Sequence, residues 1–232
     1  MSDQYSFPPG EKNNMHSHKE PPGHSAETGL SLESSLVSGV TGEAVASLEE
    51  WCRLCLTCSR CSLRKGANGV VFGEGNPRAH ILFVGEGPGG EEDKLGRPFV
   101  GAAGQLLDRI LAAAALARED VYIANVVKCR PPGNRQPKQD EIATCLPLLQ
   151  RQINLIDPAI IVCMGAVASR TLIRSDFSIT RERGHWHELE ERMLMPTFHP
   201  AALLRDPRKK KAVWEDMQQV IKLYGQIYRE ES

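Results

Sequence analysis

Apolar residues recur at two periods along this chain, and the alternation of those periods predicts its architecture. Val45, Leu48, Trp51 and Leu54 or Cys55 mark one stripe of a helix from Glu43 to Leu56, which runs into a cysteine-rich turn. His80 to Val84 is a short apolar run ending at Gly85; a Gly/Pro loop follows, then a helical pattern through Leu106, Leu107, Ile110, Leu111 and Ala114. Val121 to Val127 reads as a second strand, Lys138 to Ile153 as a helix, Ala159 to Met164 as a third strand and Ala166 to Ile173 as a short helix. A strand at Met193 to Thr197 precedes a loop containing His199. Val213, Met217, Val220, Ile221, Tyr224 and Ile227 then give an apolar face to a closing helix from Lys209 to Tyr228. Strand and helix alternate, so the expected fold is α/β: a three-layer αβα sandwich around a central four-stranded parallel sheet. Ligands of such sheets bind beyond the carboxyl ends of the strands. That rule singles out the loops Gly85 to Gly101, Cys129 to Pro137, the turn at Gly165, and Phe198 to Pro207.

The first 42 residues show no sustained period. They are rich in Gly, Pro, Ser, His and Glu and cannot bury enough apolar surface to offset their ordering entropy, so they are expected to be a disordered tail before a domain at 43–232. His16, His18 and His24 in that tail have no further metal ligand fixed beside them. The tail also alters the meaning of the formal charge of -1. Residues 1–50 carry two Lys/Arg against eight Asp/Glu, leaving 26 against 21 for the remainder, so an acidic tail masks a mildly basic core. No run approaches the roughly 18 apolar residues of a spanning helix, and the first thirty residues lack the apolar core of a secretory signal. The expectation is a soluble, cytoplasmic protein with no membrane partner.

Seven cysteines, an odd number, argue against a disulfide framework and toward free thiols or metal ligands. Cys52, Cys55, Cys58 and Cys61 recur every third residue; Cys129 and Cys145 flank an Arg/Pro/Gly loop. Short-looped thiolate pairs suit tetrahedral zinc or an iron-sulfur cluster. Either the four close cysteines hold a local metal, or one close pair joins the distant pair. A three-residue step on a helix turns about 300°, so four successive thiols cannot converge unless the helix ends. This favours Cys52 and Cys55 on the helix, with Cys58 and Cys61 in the turn beside Cys129 and Cys145. Cys163, inside an apolar strand, reads as a core thiol.

Gly85-Glu86-Gly87-Pro88-Gly89 follows a strand but lacks the placement of a dinucleotide fingerprint and the ending of a phosphate loop. Taken with Gly96-Arg97-Pro98-Phe99-Val100-Gly101, Asn125 through Arg135, and His199-Pro200-Ala201-Ala202-Leu203-Leu204-Arg205, it resembles the family 4 uracil-DNA glycosylases, the iron-sulfur branch of that superfamily. The resemblance runs from about Cys58 to the C-terminal helix. It implies one 4Fe-4S cluster held by Cys58, Cys61, Cys129 and Cys145, although Cys52 and Cys55 depart from the pattern. It also implies hydrolysis of the N-glycosidic bond of uracil in DNA, double- or single-stranded, by a monofunctional enzyme. The covalent branch of the superfamily carries a basic insertion with a nucleophilic histidine, and none stands between Arg130 and Arg135.

The residue roles follow from that resemblance together with the chemistry of base flipping. Phe99 stacks on the extruded base. Asn125, an amide inside an apolar strand, reads the uracil O4 and N3–H edge. His199 donates to O2 as negative charge develops. Gly85 and Gly87 shape the pocket. Other branches place an Asp where this chain has Gly87, so Glu86 is the candidate for orienting water, and Glu92 or Asp93 for narrowing the pocket against a thymine methyl. Leu203 is the expected wedge into the space left by the base, and Arg205, Lys128 and Arg135 the expected phosphate contacts. One pocket and one wedge suffice, so a monomer is expected. A non-enzymatic iron-sulfur DNA-binding module is the alternative, and a redox protein a third reading.

Overall fold

The structure, a computed structural model, describes residues 47–230. The expected tail at 1–42 and the first residues of the helix expected from Glu43 lie outside the described residues. Helices α1 (Leu48–Leu56) and α2 (Leu63–Gly66) precede β1 (Glu74–Gly75) and β2 (Ile81–Gly85). Then come α3 (Gly90–Leu95), α4 (Ala102–Ala113), β3 (Tyr122–Asn125), α5 (Gln139–Ile156), β4 (Ile160–Met164) and α6 (Ala166–Leu172). The chain closes with α7 (Ile179–Glu182), β5 (His187–Leu189), β6 (Arg192–Thr197), α8 (Pro200–Arg205) and α9 (Lys210–Glu230).

The strands are ordered β1-β3-β2-β4-β6-β5. β3, β2, β4 and β6 run parallel and form the four-stranded centre that the sequence predicts. Antiparallel β1 and β5 extend it at the two edges. Neither edge carries an apolar run: β1 is a two-residue bridge beside Gly73, and β5 is the polar segment His-Glu-Leu.

Successive side chains of a strand face opposite ways, and β2 shows the result. Leu82 and Val84 enter one core, with Trp51 of α1, Leu63 of α2, Leu149 of α5 and Ala168 of α6. Ile81 and Phe83 enter a second core, with Leu107 of α4, Leu203 of α8 and Met217 of α9. The chain passes from β2 to β3 on one side, then crosses to β4 on the other, so the strand order reverses beside β2. The carboxyl ends of the parallel strands open into a crevice there. Beyond the strands the loops stay tied: Val126 N–H donates to Gly85 O at 2.9 Å and Val127 N–H to Glu86 O at 3.1 Å.

Candidate active site

The crevice is a cavity of about 400 Å³ lined by Glu86, Gly87, Glu92, Phe99, Asn125, Arg135, His199 and Arg205, among others. Eight side chains and backbone positions singled out in sequence, carried by the end of β3 and the segments that follow β2, β3 and β6, including α3 and α8, thus meet at one place. Gly85 lies beneath them. A Cβ there would sit 2.5 Å from both Asn125 Oδ1 and Phe99 Cζ, so the absent side chain is what lets the amide and the ring approach each other.

Asn125 ends β3 and is 2% exposed, and its Oδ1 is buried with no hydrogen-bond partner among the described residues. Such an acceptor costs stability and calls for a donor. Phe99 is held by its backbone, with φ +52°, where an aromatic residue is strained. The Arg118 guanidinium donates to Pro98 O at 2.8 Å and to Phe99 O at 3.0 Å, and it pairs with Glu74 and Asp108. From the other side Glu92 Oε1 accepts from Val100 N–H (3.0 Å) and Gly101 N–H (2.8 Å), while its Oε2 accepts from Gly89 N–H (3.1 Å). A Cβ on Gly104 would fall 1.9 Å from Phe99 O, so α4 can pass this loop only as glycine.

His199 caps α8: its Nδ1 accepts from Ala201 N–H at 3.1 Å. That bond leaves Nε2 as the protonated nitrogen of a neutral ring. The ring is neutral because burial, aided by the Arg205 charge, pulls its pKa down to about 4. Its plane lies 30° from that of Phe99, with centroids 5.5 Å apart. Glu86 is half-buried, and burial raises its carboxyl above the usual range while Arg205 works in the opposite direction. Glu92 spends its carboxylate on three amides that join the two loops. Asp93 does not line the cleft; its Oδ1 accepts from Asn68 N–H at 2.9 Å.

Two expectations are corrected. Leu203 is fully buried in the second core and cannot enter a duplex, because it faces the sheet from α8; its neighbour Leu204 is 46% exposed. Lys128 is 1% exposed and donates from Nζ to Gln152 Oε1 at 2.5 Å, so it cannot reach a phosphate. Arg205 is exposed at the rim. Arg135 lines the cleft but is held by Glu141 in a two-pronged pair at 2.8 and 2.7 Å.

A second cavity, on the opposite face of the sheet, is lined by Cys58, Cys61, Cys129 and Cys145 with Leu63, Val70, Lys128 and Leu148. Cys52 and Cys55 sit on α1 and do not line it. The four thiols share the cavity, though among the described residues no group of three ligand side chains stands ready to hold a metal ion. Burial pushes Cys129 up to about 12 and also raises Cys145, against which the Lys128 charge and its N–H bond to Cys145 Sγ at 3.3 Å pull down. A thiolate at either position therefore requires an electropositive partner. Four sulfur donors lined by Leu63, Val70 and Leu148 and flanked by the cations Arg60, Arg64 and Lys128 fit a thiolate-ligated group, whose negative charge those cations would oppose. Cys163 is wholly buried in β4, as expected of a core thiol.

Sequence reasoning missed Arg118 and Glu74, because a guanidinium that grips backbone carbonyls leaves no side-chain pattern. It also missed Asp216, which accepts from Arg183 and from Thr197 Oγ1 (2.6 Å) and braces the end of β6 before His199. That one had a signal: an acid on the apolar stripe of α9, between Val213 and Val220.

Residues 72–218 match the uracil DNA glycosylase superfamily. The chain is 44% identical over 186 residues to a type-4 uracil-DNA glycosylase of Sulfurisphaera tokodaii, covering 76% of this chain and 84% of the relative. It is 48% identical over 167 residues to that of Thermotoga maritima (69% and 86%) and 42% over 187 residues to that of Archaeoglobus fulgidus (77% and 94%).

Proposed function

The chain belongs to the uracil DNA glycosylase superfamily, and from that premise we infer that its cleft takes up a uracil flipped out of DNA and hydrolyses the bond to deoxyribose. The products are free uracil and an abasic site, as in base excision repair. The observation that carries the assignment of residues is Asn125 Oδ1, a buried acceptor without a donor, which uracil N3–H would supply while the amide N–H meets O4. Phe99 stacks on the base and Gly85 lets it settle.

As the C1′–N1 bond breaks, its electron pair stays with uracil and charge spreads to O2. The neutral His199 donates from Nε2 to that oxygen and stabilises the leaving anion without first giving up a full proton. Water adds to the cationic sugar carbon and releases its proton to Glu86. Among the described residues no lysine lines the cleft, which supports a monofunctional enzyme over Schiff-base lyase chemistry. Leu204 takes the wedge role first given to Leu203, and Arg205 and Arg135 face the DNA backbone from the rim.

We assign the four-thiol cavity to one 4Fe-4S cluster held by Cys58, Cys61, Cys129 and Cys145. When bound it supplies a cross-link between the segment after α1 and both ends of the Cys129–Cys145 loop. The enzyme acts on double- or single-stranded uracil-DNA as a cytoplasmic monomer; no helix among the described residues is long and apolar enough to cross a membrane. A non-enzymatic DNA-binding module is not favoured, since it would gain nothing from an unpaired amide beside a strained aromatic platform. An oligonucleotide with a single uracil, incubated with the iron-loaded protein and cleaved with alkali, should yield a strand break at the uracil. Intact strands would reject the hydrolase.

A further inference from the structure

The cysteine cavity holds a charge that its four ligands do not explain. Lys128, next to Cys129 in sequence, is 1% exposed, and its ammonium meets no carboxylate among the described residues. Nζ donates to Gln152 Oε1 and stands 5.8 Å from the centroid of the Phe72 ring. Gln152 is itself fully buried, and its Nε2 donates to Phe72 O at 3.0 Å, which turns its oxygen toward the lysine. The buried acids are engaged elsewhere: Asp93 with Asn68, Glu141 with Arg135, Asp216 with Arg183. A buried ammonium is strongly unfavourable unless negative charge opposes it. A neutral amide and a ring face do not supply that charge. The sulfurs that face the ammonium are Cys145, which lines the cavity and accepts from the Lys128 backbone N–H, and Cys55 and Cys52 of α1; of the cations lining the cavity, Arg60 and Arg64 reach solvent and Lys128 alone is buried.

We propose that Lys128 is the internal counter-ion of the thiolate-ligated cluster, and that Gln152 holds its ammonium in place without neutralising it. The proposal rests on assigning the cavity to a 4Fe-4S cluster. Such a cluster with four thiolates carries about -2 when oxidised, and net charge and nearby hydrogen bonds set its potential. A fixed cation favours the more reduced, more negative state and opposes loss of iron. Gln152 matters by being uncharged: a carboxylate there would cancel the lysine locally and leave the cluster unbalanced.

The test compares full-length wild type, Lys128→Met and Gln152→Glu, each purified without oxygen. The readouts are iron and sulfide per chain, the midpoint potential of the accessible one-electron couple, and the rate of iron loss to a chelator. Both variants should show a lower potential and iron loss several-fold faster than wild type. Gln152→Glu keeps the ammonium and decides the matter if Lys128→Met fails to fold. Iron-loaded variants with the wild-type potential and wild-type iron retention would overturn the counter-ion and leave the cluster standing. A wild type without iron and sulfide would overturn the cluster assignment and the proposal with it.

Discussion

A buried amide oxygen without a donor costs a folded chain about 1–3 kcal/mol, and Asn125 carries that cost at the back of the cleft. Asn125→Ala should therefore hold or raise the melting temperature while excision falls by about 10²–10³-fold, the scale of losing a preorganised polar contact. Loss of stability with excision intact would reject the assignment. Glu86 yields a pH prediction. A base must be ionised, and burial raises this carboxyl above its usual range, whereas His199 stays neutral until the pH nears about 4. kcat/KM should thus fall as pH drops through the raised Glu86 pKa, and Glu86→Gln should be slower and lack that acid limb. The same limb in the variant would assign it to another group. Asn125 was legible in sequence because an amide interrupts an apolar strand. Lys128 was misread because a lysine beside Arg130 looks solvated: the apolar run was read to Val127, but the chain stays buried through Lys128 and Cys129 after β3 has ended at Asn125.

The parallel strands were legible as elements because burial on both faces makes them continuous apolar runs. The edge strands and α3 were not: β1 and β5 lack such runs, and α3 is six residues inside a glycine-rich loop, closed by Gly96 at φ +68°. α8 shows where spacing alone fails. Four residues past His199 fixes a position but not the side of a short helix that meets the sheet, and here that side takes Leu203. Leu203→Ala should cost about 2–5 kcal/mol of stability as a core cavity. Leu204→Ala should leave stability unchanged and slow excision from duplex DNA about tenfold, sparing single strands, which need no wedge. Thermal melts paired with excision on both substrates separate the two, and an equal slowing on single strands would exclude Leu204 as the wedge.

Over the whole molecule, the sheet divides the chemistry. Base recognition sits at the strand ends toward the α4 and α8 face, the cysteine cavity lies toward α1 and α5, and β3 serves both, since three residues separate Asn125 from Cys129. This division was only partly legible, because the alternation along each strand assigns residues to two faces but does not say what each face encloses. Where α4 passes the platform loop there is no room for a methyl group: residue 104 would strike Phe99 O at 1.9 Å. Gly104→Ala should cost about 10²-fold in kcat/KM, the scale of a displacement near 1 Å at a reacting centre, and wild-type kinetics in that variant would show that the loop can yield. A duplicated or decaying copy of this gene could thus keep every group that faces uracil and still encode a crippled enzyme, slowed by one methyl pressed against the backbone of Phe99. An inventory of motif residues would count that copy as active.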